Sequence, residues 1–343
     1  MPASESSTVL AAACCAGDLR ALSRLISLLE SNDSAQSAAA FDAVARFDYP
    51  QHVIGITGPP GAGKSTLVAY LAELALQPPG KKVAILAIDP SSPFTGGALL
   101  GDRIRMGELR NDPRVFIRSM GSRGASGGVA AAAGGALRAL GAAGFDLVFL
   151  ETVGAGQAET KIANLAHTVC VVQVPGLGDD VQFMKMGLLE AADVFAVNKS
   201  DKPEADDVKA RLELAIAEHP DSVCRVLKQI FHTPHSPLPT AYSAWTPPVI
   251  LVSATKRENG RALLDACLAH RAWLDQPGLR DALARYRAGR EILTRAEALL
   301  RSRHAQELAA GKLEALTESF LAGTVSLGDA AHVVLATVGN STP

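Results

Sequence analysis

The segment from Gly58 to Thr66, which reads GPPGAGKST, restricts the fold of this chain more than any other stretch. It matches the pattern G-x-x-x-x-G-K-[ST] in full. Residues 53–57 before it are apolar and mostly β-branched, as in a buried strand, and residues 67–76 after it are rich in Ala, Leu and Val, as in a helix. A strand, a glycine loop and a helix in this order form the setting in which the motif binds phosphate.

The residue types in this loop suit a phosphate group. Glycines let the backbone turn tightly and bring N–H groups close to an anion, and the dipole of the following helix adds positive potential. Lys64 can neutralise β- and γ-phosphate oxygens, and the hydroxyl of Ser65 can bind Mg²⁺. The alternative is a glycine-rich turn that binds nothing, but the agreement of strand, motif and helix disfavours it. The predicted phosphate-binding residues are Gly58, Pro59, Pro60, Gly61, Ala62, Gly63, Lys64, Ser65 and Thr66.

Strands and helices alternate along the chain from residue 53 onward. Several candidate strands are continuous apolar runs, which is typical of strands that crossover helices bury on both faces. The sequence therefore predicts an α/β fold: a doubly wound, mainly parallel sheet of the P-loop NTPase type. The candidate strands are 53–57, 83–88, 115–119, 145–150, 169–174, 194–198 and 249–253.

Helical patterns flank this central region. One predicted helix covers residues 10–29, a second covers about 38–46, and helices continue from 263 to about 321. The C-terminal helical segment could pack on its own domain or against a second subunit, and the pattern favours neither. The predicted division is an N-terminal helical extension (1–48), a P-loop domain (49–262) and a C-terminal helical extension (263–343).

Charge and cysteine usage exclude several classes of protein. The formal net charge is −2 with interspersed signs, so we expect no nucleic-acid partner. The five cysteines are scattered and form no C-x-x-C pair, which argues against a disulfide scaffold or a zinc site. No apolar run reaches transmembrane length, and the N-terminus carries Glu and Ser rather than a basic segment. We therefore expect a cytoplasmic protein without a membrane partner.

Acidic residues stand where a nucleotide hydrolase needs metal ligands. Asp89 follows the second predicted strand, Glu151 closes the fourth, and Asp102 lies in a loop of small residues. Carboxylates at the carboxyl ends of parallel strands face the ligand crevice, where with Ser65 they can bind Mg²⁺ directly or through water. The alternatives are a turn at Asp89 and a solvated strand end at Glu151. The Gly154 N–H can bond the γ-phosphate because no side chain blocks it.

A second motif points to the base of the nucleotide. Asn198, Lys199 and Asp201 form N-K-x-D at the end of the sixth predicted strand. An Asp that accepts both the N1–H and the N2 amino group of guanine selects guanine over adenine, which lacks this donor pair. Asn198 can brace the loop, and the stem of Lys199 can lie over the base. The motif is weak alone but strong at a strand end downstream of a P-loop.

The last predicted strand ends in Ser253, Ala254 and Thr255, which could present a backbone N–H to guanine O6. This tripeptide is uninformative by itself. With the P-loop and N-K-x-D, it accounts for both ends of a nucleotide. The predicted ligands are therefore GTP or GDP, with Mg²⁺.

With these residues in place, the chain resembles the MeaB/ArgK/MMAA-type GTPases over most of its length. The resemblance implies GTP hydrolysis with Mg²⁺ and a homodimer built through the C-terminal helices. It also implies a client, an adenosylcobalamin-dependent acyl-CoA mutase such as methylmalonyl-CoA mutase, whose cofactor loading and protection GTP would gate. The segment 175–185 would be an extra switch that meets this client. The resemblance is carried by residues 55–66, 87–97, 100–106, 151–157, 175–185 and 198–201.

The predicted reaction is phosphoryl transfer to water, driven by positioning and charge neutralisation. Gln157 and Arg105 are candidates for an activating residue. Three alternatives remain: a transport-linked ATPase or kinase, a metallochaperone GTPase of the urease or hydrogenase type, and a scaffold that binds nucleotide without hydrolysing it. N-K-x-D disfavours the first, and the lack of a His- or Cys-rich segment disfavours the second. The predicted catalytic residues are Lys64, Asp89, Asp102 and Glu151.

Overall fold

Seven parallel strands form a sheet with the order β3-β2-β4-β1-β5-β6-β7. The strands are β1 (His52–Thr57), β2 (Val83–Asp89), β3 (Val115–Gly121), β4 (Leu147–Thr152), β5 (Thr168–Gln173), β6 (Val194–Asn198) and β7 (Val249–Val252). The parallel sheet expected from the apolar runs is confirmed. This computed structural model describes residues 6–31, 33–89, 107, 109–121, 128–152, 165–176, 191–218, 244–276, 278–309 and 312–339.

Helices cover both faces of the sheet, as expected for a doubly wound fold. One face packs against α1, α2, α3, α5 and α6, and the other packs against α4 and α7. The helices before the last strand are α1 (Ser7–Cys15), α2 (Leu19–Leu29), α3 (Ser34–Val44), α4 (Lys64–Ala75), α5 (Gly128–Ala142) and α6 (Ala205–Glu218). Those after it are α7 (Gly260–Leu274), α8 (Leu279–Ala309), α9 (Lys312–Leu321) and α10 (Leu327–Gly339).

The central strand β1 shows why its sequence is apolar without alternation. All six of its residues are buried. Val53 packs into the core on the α5 face, whereas Ile54 and Ile56 pack into the core on the α4 face. A strand buried on both faces takes apolar side chains along its length, and the buried polar residues His52 and Thr57 lie at its two ends.

The N-terminal region contains two helices where the sequence predicted one. The predicted helix over residues 10–29 is wrong because the chain breaks after α1, at Gly17, which has a φ of +88°. The carboxylate of Asp18 then caps α2 by accepting hydrogen bonds from the N–H groups of Arg20 (2.7 Å) and Ala21 (3.1 Å). The first helix begins at Ser7, three residues before the predicted start at residue 10.

The C-terminal extension is anchored on the sheet domain at its start. Arg138 of α5 donates from Nε and Nη2 to the two carboxylate oxygens of Glu291 on α8, at 2.8 and 2.6 Å. Arg287 donates to the carbonyl oxygen of Ala166, which lies just before β5, at 2.6 Å. The first half of α8 therefore packs on its own domain, one of the two arrangements that the sequence left open.

Farther along, the extension leaves apolar side chains in solvent. Leu321 and Leu327 are 72% and 70% exposed. The predicted end of the helical region near residue 321 is wrong, because α10 follows a break at Gly323, whose φ is +70°. The predicted boundary at 262/263 falls inside α7, which packs against α4. Residues 229–248 hold five prolines, which predicts a loop before the last strand, and the part of this stretch up to residue 243 lies outside the described residues. No helix in the described part of the chain is long and apolar enough to cross a bilayer.

Buried polar side chains link the amino-terminal ends of β1 and β5 to α7. Thr168 Oγ1 lies 2.8 Å from His52 Nε2 and 2.9 Å from His270 Nδ1. His270 Nε2 lies 3.5 Å from the carboxylate of Asp193, which precedes β6. Burial, together with the positive charge of nearby Arg271, lowers the pKa of His52 well below its ordinary value. His52 is therefore neutral in the folded protein at pH 7.

Candidate functional site

The glycine loop lies at the carboxyl edge of the sheet, between β1 and α4. Gly58, Gly61 and Gly63 have φ angles of +142°, +76° and +81°, a region that favours glycine. A Cβ atom on Gly58 would lie 2.2 Å from the carbonyl oxygen of Val172 in β5. Gly58 is therefore required by the close approach of two backbones as well as by its own conformation.

The start of α4 is suited to bind an anion. No side chain caps this end of the helix, and its first turn has no acidic residue. The buried Lys64 donates from Nζ to the carbonyl oxygens of Gly58 and Pro59, each at 2.9 Å. Lysine and helix N-terminus thus place positive charge and N–H groups around one loop, an arrangement that suits phosphate oxygens.

The structure brings together two of the predicted metal ligands. The hydroxyl of Ser65 donates to Oε1 of Glu151 at 2.6 Å, and Glu151 is buried. Glu151 lies on β4 directly beside Ile56 of β1, so strand pairing fixes its position next to the loop. A hydroxyl and a carboxylate are hard oxygen donors of the kind that Mg²⁺ prefers. These two side chains fit a magnesium site.

The other predicted phosphate and metal residues are placed only in part. Asp89 is the last residue of β2 and pairs in register with Gly121, so its backbone lies at the same carboxyl edge as the loop. The side chain of Asp89 lies outside the part of the structure that is described. So do Asp102 and Gly154, as well as Arg105 and Gln157.

Asn198, at the end of β6, connects the glycine loop to the segment after β7. It is 3% exposed. Its Nδ2 donates to the carbonyl oxygen of Ala62 at 2.8 Å, and its Oδ1 accepts from the N–H of Ala254 at 3.1 Å. A single amide therefore holds together the segments predicted for phosphate and for base. The next residue, Lys199, has a φ of +60° and donates from Nζ to the carbonyl oxygen of Gly61 at 2.9 Å.

Asp201 is held by the segment after β7. Its Oδ1 accepts a hydrogen bond from the hydroxyl of the buried Ser253 at 2.9 Å. This bond, followed by one from its own backbone N–H, lowers the pKa of Asp201 below its ordinary value. The exposed carboxylate is therefore ionised at neutral pH and has a fixed orientation. Thr255, the third residue of the predicted base-contacting tripeptide, is exposed nearby.

Sequence reasoning missed the residues that support this region from behind. Tyr70 on α4 donates from its hydroxyl to the carbonyl oxygen of Arg257, at 2.6 Å. Thr152 donates to Thr57 at 3.2 Å, and both side chains are fully buried. The partners in both pairs are far apart in the sequence and match no motif, so only the fold reveals them.

A family model described as Methylmalonyl Co-A mutase-associated GTPase MeaB matches residues 22–309. The chain belongs to this family. This chain is 40% identical to a Pyrococcus abyssi protein named as a GTPase, over 319 residues that cover 93% of each chain. It is 36% identical to the GTPase ArgK of Escherichia coli over 247 residues, which cover 71% of this chain and 69% of ArgK.

Two further comparisons concern one segment and the fold. A methylmalonic aciduria type A homolog, mitochondrial, of Caenorhabditis elegans is 40% identical over 166 residues, which cover 48% of this MeaB-family chain and 41% of that protein. A crystal structure of a LAO/AO transport system kinase superposes with a TM-score of 0.61 and 24% identity, covering 97% of this chain and 98% of the other. The superposition supports the P-loop α/β fold.

These matches establish the class of reaction. The protein is a GTPase that binds guanine nucleotide, because its family and its relatives over most of its length are GTPases. The family is associated by name with methylmalonyl-CoA mutase. The expectations of a P-loop GTPase and of the MeaB/ArgK/MMAA-type family are therefore confirmed.

Proposed function

We propose that this MeaB-family GTPase binds GTP and Mg²⁺ between β1, β4, β6 and the segment after β7. We further propose that its GTP cycle gates the loading and protection of an adenosylcobalamin-dependent acyl-CoA mutase, methylmalonyl-CoA mutase or a close relative. The observation that carries the client assignment is the family match over residues 22–309, whose description names that mutase.

In the proposed reaction, water attacks the γ-phosphorus while its bond to the β–γ bridging oxygen breaks, giving GDP and inorganic phosphate, and the protein acts by positioning and charge neutralisation. Lys64 and the N–H groups at the start of α4 bind the phosphate oxygens. Ser65 and Glu151, already 2.6 Å apart, hold the metal directly or through a water molecule. When bound, Mg²⁺ neutralises charge on the phosphate oxygens. Asp89 and Asp102 remain proposed ligands, and Gly154 a proposed γ-phosphate donor, on sequence grounds.

Base recognition is proposed to depend on Asp201. Ser253 orients its carboxylate, and the lowered pKa of Asp201 keeps it charged as an acceptor for guanine N1–H and the N2 amino group. Replacing Asp201 by asparagine turns one acceptor into a donor, which suits the additional oxygen of xanthine. We expect calorimetry on Asp201→Asn to show a lower affinity for GDP and a higher affinity for xanthosine diphosphate. An unchanged preference would contradict the proposed base site.

A homodimer through the C-terminal helices is also part of the proposal. The exposed apolar side chains on this extension support it, since large apolar side chains in solvent often mark an interface. We expect light scattering to give twice the mass of one chain for the wild type and one chain mass for Leu321→Asp. The control Val9→Asp places the same charge on an exposed apolar position of α1. A monomeric wild-type protein would contradict this part.

The client is tested by affinity capture from extract of the source cells. The bait is loaded either with GDP or with a non-hydrolysable GTP analogue, and we expect an acyl-CoA mutase to be enriched in one state. Asp201→Asn, loaded with GDP at the same concentration, should capture less if capture depends on the nucleotide. Recovery of no cobalamin-dependent enzyme in either state would contradict the chaperone role and leave the GTPase assignment intact.

A further inference from the structure

Tyr70 lies between the phosphate-binding end of α4 and the segment after β7. Its hydroxyl donates to the carbonyl oxygen of Arg257 at 2.6 Å, and the Arg257 guanidinium carbon lies 5.0 Å from the centre of the tyrosine ring. Arg257 also forms an ion pair with Glu73, which lies on α4 one turn after Tyr70. A Cβ atom on Gly260 would lie 2.2 Å from Cε1 of Tyr70, so the ring packs directly on the backbone where α7 begins.

The segment that Tyr70 contacts is a closed loop. Ser253 and Glu258 exchange two backbone hydrogen bonds, at 3.3 and 3.0 Å, and Arg257 lies inside the loop with a φ of +59°. The start of the loop contacts the proposed base site, because the hydroxyl of Ser253 bonds Asp201. Its far side contacts Tyr70. The base loop, residues 253–258, is therefore held between β6 and α4.

We infer that Tyr70 is a positioning residue for guanine recognition, acting through the base loop. Its role rests on the nucleotide site proposed above. The phosphate-binding N–H groups begin at Lys64, and Tyr70 lies six residues later, about 9 Å along a rigid helix. The helix thus acts as a spacer between phosphate and base. The hydroxyl of Tyr70 fixes the loop to this spacer, so that its backbone N–H groups meet guanine O6 at the correct distance.

The first test is Tyr70→Phe, which removes the hydroxyl and keeps the ring packed on Gly260. Loss of one intramolecular hydrogen bond corresponds to about a fivefold decrease in GDP affinity. We expect KM for GTP to rise by a similar factor, with kcat within about twofold of wild type, because Lys64, Ser65 and Glu151 are untouched. The matched control is Tyr49→Phe, a half-buried tyrosine on the opposite face of the sheet, which should bind GDP like the wild type.

The second measurement separates loop positioning from general support of the fold. The probe is 6-thio-GDP, which keeps N1–H and the N2 amino group but carries a weak acceptor, sulfur, in place of O6. We expect Tyr70→Phe to lower the affinity for GDP much more than the affinity for 6-thio-GDP. The ratio of the GDP affinity to the 6-thio-GDP affinity should therefore be smaller in the variant than in the wild type. Equal weakening of both nucleotides with a lower Tm would overturn the inference, since the hydroxyl would then only stabilise the fold.

Asp201→Asn, measured in parallel, distinguishes the two levels of proposal. If Asp201→Asn keeps the guanine preference of the wild type, the proposed base site itself is wrong. If Asp201→Asn shifts that preference while Tyr70→Phe binds GDP and 6-thio-GDP like the wild type, the site stands and the role of Tyr70 is overturned.

Discussion

Replacing Asn198 by alanine should destabilise the protein because its amide satisfies two buried backbone groups. These are the carbonyl oxygen of Ala62 and the N–H of Ala254, at 2.8 and 3.1 Å. Each buried group left without its partner costs about 1–3 kcal/mol. We expect Asn198→Ala to lower the free energy of unfolding by about 3 kcal/mol, toward the lower end of the sum, because both loops can relax in part. For a domain of this size, that corresponds to a fall in Tm of roughly 6–12 °C.

The assay is thermal unfolding followed by circular dichroism, with and without excess GDP. Asn198 joins the phosphate and base segments, so the rise in Tm on adding GDP should also be smaller in the variant than in the wild type. Asn198→Asp keeps the volume of the side chain but places a hydrogen-bond acceptor against the carbonyl oxygen of Ala62. Its Tm should therefore be no higher than the Tm of Asn198→Ala. Asn111→Ala, at an exposed asparagine, should change stability by less than about 0.5 kcal/mol. An Asn198→Ala variant within about 2 °C of wild type would refute the reasoning.

Three further predictions concern the loop, the metal and pH. Gly58→Ala should lower the free energy of unfolding in urea far more than Gly61→Ala, because the new Cβ would lie 2.2 Å from a carbonyl oxygen of β5. At Gly61 the Cβ would meet no atom, so Gly61→Ala should lower the free energy of unfolding only by about 1–2 kcal/mol, the cost of a left-handed backbone. Equal losses in the two variants would contradict this geometry. Glu151→Gln should reduce GTP turnover about 10–100-fold and raise the Mg²⁺ needed for half-maximal rate, and an unchanged Mg²⁺ profile would argue against a ligand role. The free energy of unfolding should fall as pH drops from 7 to 5, because unfolded His52 binds a proton near its ordinary pKa and folded His52 does not. In His52→Gln this slope should be flatter by up to about 1.4 kcal/mol per pH unit.

The sheet could be predicted because its strands are buried on both faces. In β6 the residues from Val194 to Val197 are apolar because both faces of the strand are buried, and the predicted range 194–198 is the range that the structure shows. The prediction shifts where an apolar residue is buried outside a strand. Phe145 packs in the core but precedes β4, so the strand was predicted to begin two residues early.

The N-terminal helices show a different source of error. An apolar face is formed by Leu19, Leu22, Ile26 and Leu29, and a helix that continues this pattern back to residue 10 would have to cross Gly17. The signals for a break were local, a glycine followed by an N-capping Asp, and they outweigh a continuous apolar pattern. Secondary structure is decided there by two residues rather than by the average of the segment.

In the candidate site, too, some residues could be predicted from the sequence and others could not. Residues in contiguous motifs, such as Ser65 and Glu151, could be selected because strand order brings strand ends to one edge. The contact of Tyr70 with Arg257 joins positions 187 residues apart, and the polar link of His52 with Thr168 spans 116. Each of these side chains is unremarkable in its own segment. Such pairs are specified by packing, and single-sequence patterns do not record them.

The root of the C-terminal extension, where Arg287 bonds the carbonyl of Ala166, is at the amino edge of the sheet. The proposed guanine-nucleotide site is at the opposite, carboxyl edge, where Gly58 and Asn198 lie. The anchor of the C-terminal extension and the proposed nucleotide site therefore lie at opposite edges of the same sheet, and β1 runs from one edge to the other.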